Sequence, residues 1–452
     1  MKHIKENDMY DIWLEPSDWR YSAAIVGISK FLNMYYRTED NDYEITRDYL
    51  KFKREYITEE KFLMFVEDYY GEELQHKQIE SLLQKEEFSN DEVKLVNDLL
   101  KSNSILKKVF GKEKFDGTNG ERLLTLLERN RDDIIKETFR NKTSMYANYA
   151  NTGQLFETEK SCCRLLGYYV DGGRKSKSIA YNFDINTFIA KDDNLFDFIP
   201  FAFVGDREAF FINDNYSVKV LIDINVQFKR LVYDVINEFD GKTKNARKIL
   251  FQTIQKSSDF LNYDVEVITK ERENSFFETM YVRKQSIKIL KQLKIYEPFC
   301  FSLKISDNYY IDIQREVMDC ILNLSRTDTL IELFLKEDRE KRNEYIVSLF
   351  IKINQLICGG GETMNQAMKG AYACAKEVAS KLPENKLEGY RQKLTSAIVF
   401  KDYDRCCQIL LQLSNYSDVT FDFAYSLFED FDNNKDVAYT FINALTKKRE
   451  NN

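Results

Sequence analysis

The stretch that most constrains the fold is residues 11–34, which holds both tryptophans of the chain and one of its four prolines. Ser17 and Asp18 are residue types that cap helix N-termini, and the run over residues 19–34 predicts a helix. Small side chains around Gly27 let such a helix lie close against a neighbouring backbone. We therefore expect this segment to form the first core helix of a globular domain.

Length and charge limit the class of protein. At 452 residues the chain is long enough for two or three domains, each with its own core. Its net charge is −8, so any binding of nucleic acid must come from local basic patches.

No segment approaches the roughly 18–20 apolar residues of a membrane span, and the N-terminus lacks the apolar core of a signal peptide. We predict a cytoplasmic protein that does not contact a membrane, with its eight cysteines reduced.

The hydrophobic pattern divides the chain into three parts and predicts an α+β fold. We expect residues 1–140 to be mainly helical, residues 141–314 to form an α+β middle with basic loops, and residues 315–452 to form a C-terminal helical bundle. The clearest helices predicted in the first part are residues 59–70, 91–106 and 121–139.

Strands are predicted only in the middle part, where β-branched and aromatic residues alternate with polar ones. Two helices are also predicted there, at residues 226–237 and 283–294. The predicted strands are residues 180–188, 198–204, 208–212 and 218–224, a hairpin of 264–269 with 276–282, and a second hairpin of 301–305 with 309–313.

The residue types that carry most catalysis are scarce. His3 and His76 are the only histidines, which disfavours a histidine-based triad or a zinc hydrolase. The adjacent pair Cys162 and Cys163 lacks the two-residue spacer that lets two thiolates face one zinc ion. The glycines at 359–361 lack the lysine of a phosphate-binding loop and are interpreted as a hinge. We therefore expect no catalytic residue, no metal and no cofactor.

Three basic islands interrupt this acidic chain, and each contains no acidic residue. Such islands suggest a polyanion, although each alone is also compatible with an ordinary solvated surface. They comprise Arg174, Lys175 and Lys177 in a loop; Lys242, Lys244, Arg247 and Lys248 where a loop leads into a helix; and Lys284, Lys288 and Lys291 on one face of a helix.

A polar segment supplies a different kind of contact. Lys142 precedes Asn148 and Asn151, and Tyr146 and Tyr149 lie between them. Asparagine amides hydrogen-bond to base edges, and tyrosine rings stack on bases. We therefore predict that Lys142, Asn148 and Asn151 also contact nucleic acid.

Four separated stretches resemble, in the correct order, the large subunit of type I-B CRISPR effector complexes (Cascade). They are DWRYSAAIVGISKFL (residues 18–32), SIAYNFDINTF (178–188), DFIPFAFVGDREAFFINDNYS (197–217) and INQLICGGGETMNQAMKGAYACAKEVASKL (353–382). The third is the most specific, because its two aromatic runs are not a generic strand pattern.

The resemblance implies a non-catalytic protein that helps recognise the protospacer-adjacent motif, opens the target duplex and stabilises the R-loop. The implied partners are crRNA, double-stranded target DNA and the displaced strand, the repeat-backbone, handle-binding and small subunits, and the helicase-nuclease that the complex recruits. The family's terminal bundle matches the small-subunit fold, and a separate small subunit can arise from an internal start, here near Met318 or Met364. None of the four motifs identifies the residues that read the protospacer-adjacent motif.

Two other classes of function stay open at this point. One is a metal-dependent nuclease, which the scarcity of histidine and of spaced acidic motifs disfavours. The other is a helical interaction scaffold that does not bind nucleic acid.

Overall fold

The computed structural model describes residues 9–139, 155, 192–205, 208–238, 246–257, 261, 263–271, 277–293, 297–337, 341–359 and 362–447. The chain divides into two compact units. The first consists of Met1–Thr253 and Asp264–Tyr281, and the second of Ile254–Tyr263 and Val282–Asn452. The predicted α+β fold is confirmed, with small antiparallel sheets in a mainly helical chain and a helical C-terminal region. The predicted division at residues 140 and 314 stays a prediction.

The first unit begins with a small antiparallel sheet around a long helix. Strand β1 (Ile12–Leu14) and strand β2 (Tyr43–Ile45) both pair with β3 (Leu50–Phe52). Helix α1 (Trp19–Tyr35) lies between β1 and β2 in the chain, and its N-cap is Asp18. The predicted first helix is therefore confirmed. The sheet was not predicted, because three-residue strands are too short to show alternation.

Six short helices follow. Five of them lie in or next to the three clearest predicted ranges, and the sixth lies between the first two of those ranges. Asparagines at the breaks explain the difference, since their side chains compete for backbone hydrogen bonds. The Asn103 side chain caps the helix that replaces the second half of 91–106, and Asn130 interrupts 121–139. The helices are α2 (Glu59–Tyr70), α3 (Gln75–Leu83), α4 (Asn90–Leu99), α5 (Ser104–Phe110), α6 (Gly120–Arg129) and α7 (Arg131–Phe139).

Two predicted strands of the middle part are wrong. Residues 198–204 belong mostly to an aromatic 3₁₀ segment, Asn194–Ala202, which contains Pro200 and packs against α1. Residues 218–224 instead begin helix α8 (Val218–Glu238). The sequence VKVLIDI alternates, but it also fits a helical period, and the buried positions follow that period. They are Val218, Leu221, Ile224, Asn225, Phe228, Val232 and Val235.

A second sheet completes the first unit and confirms the other strand predictions of this region. Strand β4 (Glu208–Asn213) pairs antiparallel with β5 (Val265–Glu271), and β5 also neighbours β6 (Glu278–Val282). Helix α9 (Ala246–Ser257) lies between β4 and β5 in the chain. The predicted strand at residues 180–188 lies outside the described residues.

Over its described residues, the second unit is helical apart from one hairpin, as predicted. The hairpin pairs β7 (Ser302–Ser306) with β8 (Tyr309–Asp312). Each predicted helix of the C-terminal part is found, with ends that differ by a few residues. The helices of the unit are α10 (Lys284–Leu293), α11 (Ile313–Asn323), α12 (Asp328–Glu337), α13 (Lys341–Cys358), α14 (Glu362–Lys381), α15 (Glu384–Val399), α16 (Tyr403–Ser417), α17 (Ala424–Glu429) and α18 (Phe431–Ala444).

A buried polar network joins the helices of this bundle. Asp436 of α18 is fully buried, and its Oδ1 accepts from Arg326 Nη2 at 2.7 Å and from Asn354 Nδ2 at 2.9 Å. Arg326 also pairs with Asp328 at the start of α12. Because a buried carboxylate needs such partners, the network fixes how α12, α13 and α18 meet.

A membrane-spanning helix would need a long apolar run, and none of the helices in the described ranges contains one.

Candidate nucleic-acid interface

The structure describes only part of the predicted binding residues. Lys142, Asn148, Asn151, Arg174, Lys175, Lys177, Lys242 and Lys244 lie outside the described residues. The backbone places Arg247 and Lys248 in the first turn of α9. Lys284, Lys288 and Lys291 lie on α10, whose side chains are described in full, and a surface in the second unit can therefore be built outward from that helix.

Helix α10 separates its charges from its apolar residues. Lys284, Lys288 and Lys291 are exposed, while Ile287 and Leu290 are buried. Positions four and three residues apart lie above one another on a helix, so the three ammonium groups form one row. Residues 283–294 contain no acidic side chain, so the charge of the helix itself is entirely positive.

Helix α10 is anchored to α11 by side chains that donate hydrogen bonds to backbone carbonyl oxygens. Ser286 Oγ donates to the carbonyl oxygen of Ile321 at 2.8 Å, and Arg283 Nη1 donates to that of Leu322 at 3.1 Å. These carbonyls belong to the last turn of α11, where helical partners are missing. The lysine row therefore starts from a fixed position on the bundle.

The first turn of α10 meets the end of α13. Gln285 Nε2 approaches the carbonyl oxygen of Ile357 to 3.5 Å. Lys352, which precedes Ile357 by about one and a half turns of α13, is exposed. Residues 345–358 contain no acidic side chain. Lys352 therefore places one exposed positive charge on the helix that Gln285 of α10 contacts.

The end of α13 meets the beginning of α14. Gln355 Nε2 donates to Asn365 Oδ1 at 2.9 Å. Lys369 and Tyr372 follow on the exposed side of α14, and Tyr372 is 54% exposed. Lys376 Nζ lies 5.6 Å from the centre of that ring. No acidic side chain occurs over residues 363–376.

Three helices that are separate in the sequence thus contribute to one basic surface. Lysines of this kind can contact phosphates, amides can hydrogen-bond to base edges, and an exposed tyrosine such as Tyr372 can stack on a base. Glu362, the first residue of α14, is the one acidic residue between residues 345 and 376. The basic surface consists of Lys284, Lys288, Lys291, Lys352, Gln355, Asn365, Lys369 and Tyr372.

Only the α10 part of this surface was predicted. The α13 and α14 parts have few lysines, and a search for dense basic runs passes over them. The signal that was present is the near absence of acidic residues over residues 345–376, in a chain with 74 of them.

The described residues include one of the two histidines and most of the possible metal-ligating side chains. No three histidine, cysteine, aspartate or glutamate side chains there come together as a metal site. His76 is buried, with Nε2 2.7 Å from Glu67 Oε1, and Arg131 Nη1 lies 2.5 Å from the same oxygen. His76 is therefore one of two partners of Glu67, whose carboxylate joins helices α2, α3 and α7. His3 lies outside the described residues.

A comparison with known families adds one match. A family model described as CRISPR-associated protein Csx8 matches residues 10–445. No curated protein and no solved structure matches the chain.

Proposed function

Because this chain belongs to the CRISPR-associated Csx8 family, we propose that it is the large subunit of a type I-B effector complex (Cascade). The observation that carries the proposal is the basic surface shared by α10, α13 and α14. The four stretches that resemble the type I-B large subunit support it, and one of them, residues 353–382, includes the α14 part of that surface and the end of α13.

In this role the chain acts by binding. It recognises the protospacer-adjacent motif, helps open the target duplex, stabilises the R-loop and recruits the helicase-nuclease. Its partners are crRNA, target DNA and the other subunits of the complex, it works in the cytoplasm, and it has no catalytic activity of its own. Guide pairing supplies sequence specificity, so the protein needs mainly phosphate contacts along the strands and a few base contacts at the motif.

The basic surface suits nucleic acid better than it suits a protein partner. Its lysines stand on helices, where the row from Lys284 to Lys291 extends about 10 Å at 1.5 Å per residue. Regularly spaced ammonium groups next to amides and an exposed aromatic ring are the composition of a strand-binding groove. A protein interface of ordinary size is instead depleted of lysine at its centre.

The test is target binding by the assembled complex across a salt series. Lys284, Lys288 and Lys291 are changed together to Gln, and Lys352 and Lys369 are changed together to Gln in a second variant. We expect weaker binding of all sequences alike. The salt slope should be smaller by roughly one unit for each phosphate that the variant no longer neutralises.

The matched control changes two exposed lysines of the same unit that lie outside the basic surface, Lys386 and Lys401, to Gln. We expect this control variant to bind target DNA with unchanged affinity and with an unchanged salt slope. If the first two variants also bind with unchanged affinity and slope, the basic surface is only solvated and the proposal loses its main support.

The residues that read the protospacer-adjacent motif are proposed from the sequence alone. Asn148→Ala or Asn151→Ala should cost about 1–3 kcal/mol of binding free energy on the correct motif and little on other sequences.

The two rival classes of function give different results in assays of nuclease activity and DNA binding. Metal-dependent cleavage that one Asp or Glu substitution abolishes indicates a nuclease, and an absence of any gel shift indicates a scaffold.

A further inference from the structure

Two lysines of the first unit converge on one tyrosine. Lys30 of α1 and Lys229 of α8 both donate to the hydroxyl oxygen of Tyr69 of α2, at 3.3 and 3.0 Å. Lys30 Nζ also donates to the carbonyl oxygen of Phe201, at 2.7 Å. All three side chains are half-buried. Since both nitrogens contact the same oxygen, they lie at most about 6 Å apart.

Positive charge at this cluster exceeds the negative charge that the described residues supply. Within the described part of the chain, neither lysine forms an ion pair with a carboxylate. Two further groups act electrostatically on Lys229. One is Glu73, in the turn that follows α2, and the other is Tyr233 of α8, whose ring centre lies 5.9 Å from Lys229 Nζ. An ammonium group has three donors, of which Lys30 uses two and Lys229 one on these oxygens. The cluster therefore has both charge and donors available for an anion.

The pKa directions of the three groups reflect both burial and their mutual contacts. Burial lowers the pKa of Lys30. Burial by itself also lowers the pKa of Lys229, but Tyr69, Tyr233 and Glu73 outweigh it and raise that pKa above its ordinary value. Burial by itself raises the pKa of Tyr69, but the two ammonium groups outweigh it, so the pKa of this phenol lies below its ordinary value. The potential at the phenol oxygen is therefore positive, as expected where an anion binds.

A purely structural role accounts poorly for two lysines at one hydroxyl. Placing like charges together in a half-buried site is costly, and one lysine is enough to satisfy a phenol oxygen. An apolar residue in place of Lys229 packs against the rings of Tyr69 and Tyr233 without that cost. A ligand with two or more negative oxygens removes the cost, because it pairs with both ammonium groups at once.

We propose that Lys30, Lys229 and Tyr69 form a binding site for a phosphate group. The site belongs to the first unit, shares no residue with the basic surface of the second unit, and does not depend on the proposed function. The phosphate comes either from a nucleic-acid strand or from free phosphate, and both present the same charged oxygens.

The test measures the melting temperature of the full chain against inorganic phosphate, with sodium chloride of equal ionic strength as the reference. Bound phosphate stabilises the folded chain by mass action, so we expect the melting temperature to rise with phosphate and not with chloride. In Lys30→Met and in Lys229→Met, the apparent Kd for phosphate should rise about tenfold or more.

One control variant keeps the test decisive. Lys219→Met removes an exposed lysine from the same helix as Lys229, and its apparent Kd for phosphate should equal that of the natural chain. If phosphate stabilises no more than chloride, or if the Lys30 and Lys229 variants respond as the natural chain does, the proposal is wrong.

The source of the phosphate is then assigned by competition with one oligonucleotide in two forms. The two forms are the oligonucleotide with and without a 5′-phosphate. If only the 5′-phosphorylated form competes with inorganic phosphate, the site binds a terminal phosphate, and if both forms compete, it binds backbone phosphates. If neither form competes, the site binds free phosphate. A failure here leaves the salt-series test of the basic surface unaffected, because that test changes only residues of the second unit.

Discussion

At the residue scale, Gly27 shows how closely α1 and the aromatic 3₁₀ segment approach each other. A Cβ atom at this position lies 2.0 Å from the carbonyl oxygen of Phe198. The ring of Phe198 packs among Phe31, Phe62 and Phe65, each buried in the same core. Neither α1 nor the 3₁₀ segment can move away without displacing these rings, because close-packed interiors transmit small displacements.

We therefore expect Gly27→Ala to lower the free energy of unfolding by about 3 kcal/mol or more. Urea unfolding of the full chain measures it. The control is Gly389→Ala in α15, where an added Cβ has no neighbour within 4 Å. That change should be neutral or stabilise by up to about 1 kcal/mol, because alanine favours the helix. Equal effects of the two substitutions would contradict the close approach.

At the element scale, three helices of the first unit meet at one carboxylate. Glu67 of α2 accepts from His76 of α3 and from Arg131 of α7, and Arg131 also binds Glu80 of α3. Burial by itself raises the pKa of Glu67, but the His76 hydrogen bond and the Arg131 charge outweigh it, so this pKa lies below its ordinary value of 4.5. The ionised carboxylate is therefore favoured in the folded chain.

This direction predicts a pH dependence of stability. The contribution of Glu67 is present above about pH 4.5 and is lost as the pH falls through the lower pKa of the folded state. We expect Glu67→Gln to cost about 1–3 kcal/mol of unfolding free energy at pH 7, and less as the pH falls below about 4. Urea unfolding at several pH values measures this difference.

Glu128 provides the control, since it binds the same guanidinium from the surface with its side chain 70% exposed. Glu128→Gln should change the unfolding free energy by less than about 1 kcal/mol at any pH. A Glu67→Gln cost that does not shrink in acid would show that the network acts through packing and not through charge.

At the scale of the whole molecule, the second unit begins before the proposed internal start. Met318 is buried in the middle of α11, only 3% exposed. A chain that starts there lacks α10, the hairpin and the first turn of α11 with its Asp312 cap. It also lacks the buried face of α10, including Ile287 and Leu290, that packs within this unit.

We therefore expect the fragment of residues 318–452 to be less stable by several kcal/mol than the fragment Val282–Asn452, since each buried aliphatic side chain contributes about 1.5–3 kcal/mol. Urea unfolding of the two fragments, followed by circular dichroism, measures the difference. Equal midpoints would show that α10 and the hairpin add nothing to the bundle. Intact-mass analysis of the purified complex tests separately whether a fragment that starts at Met318 exists.

The sequence by itself determined the long amphipathic helices and, through four short stretches, the relation to CRISPR-associated proteins. Helix α1, helix α10 and the terminal bundle follow from a hydrophobic period that neighbouring residues set, so local pattern is enough. The hairpin of β7 and β8 was equally readable, because its turn at residues 306–308 is local.

Tertiary structure decided what local pattern leaves ambiguous. VKVLIDI fits a strand and a helix, and burial of Leu221 and Asn225 against the rest of the unit selects the helix. The basic surface depends on contacts such as that of Gln285 with Ile357, 72 positions apart. The lysines at Tyr69 are separated from it by 39 and 160 positions. Such sites arise only when distant segments pack together. The local pattern therefore predicts the exposed lysine row of α10, but neither the rest of the basic surface nor the proposed phosphate site.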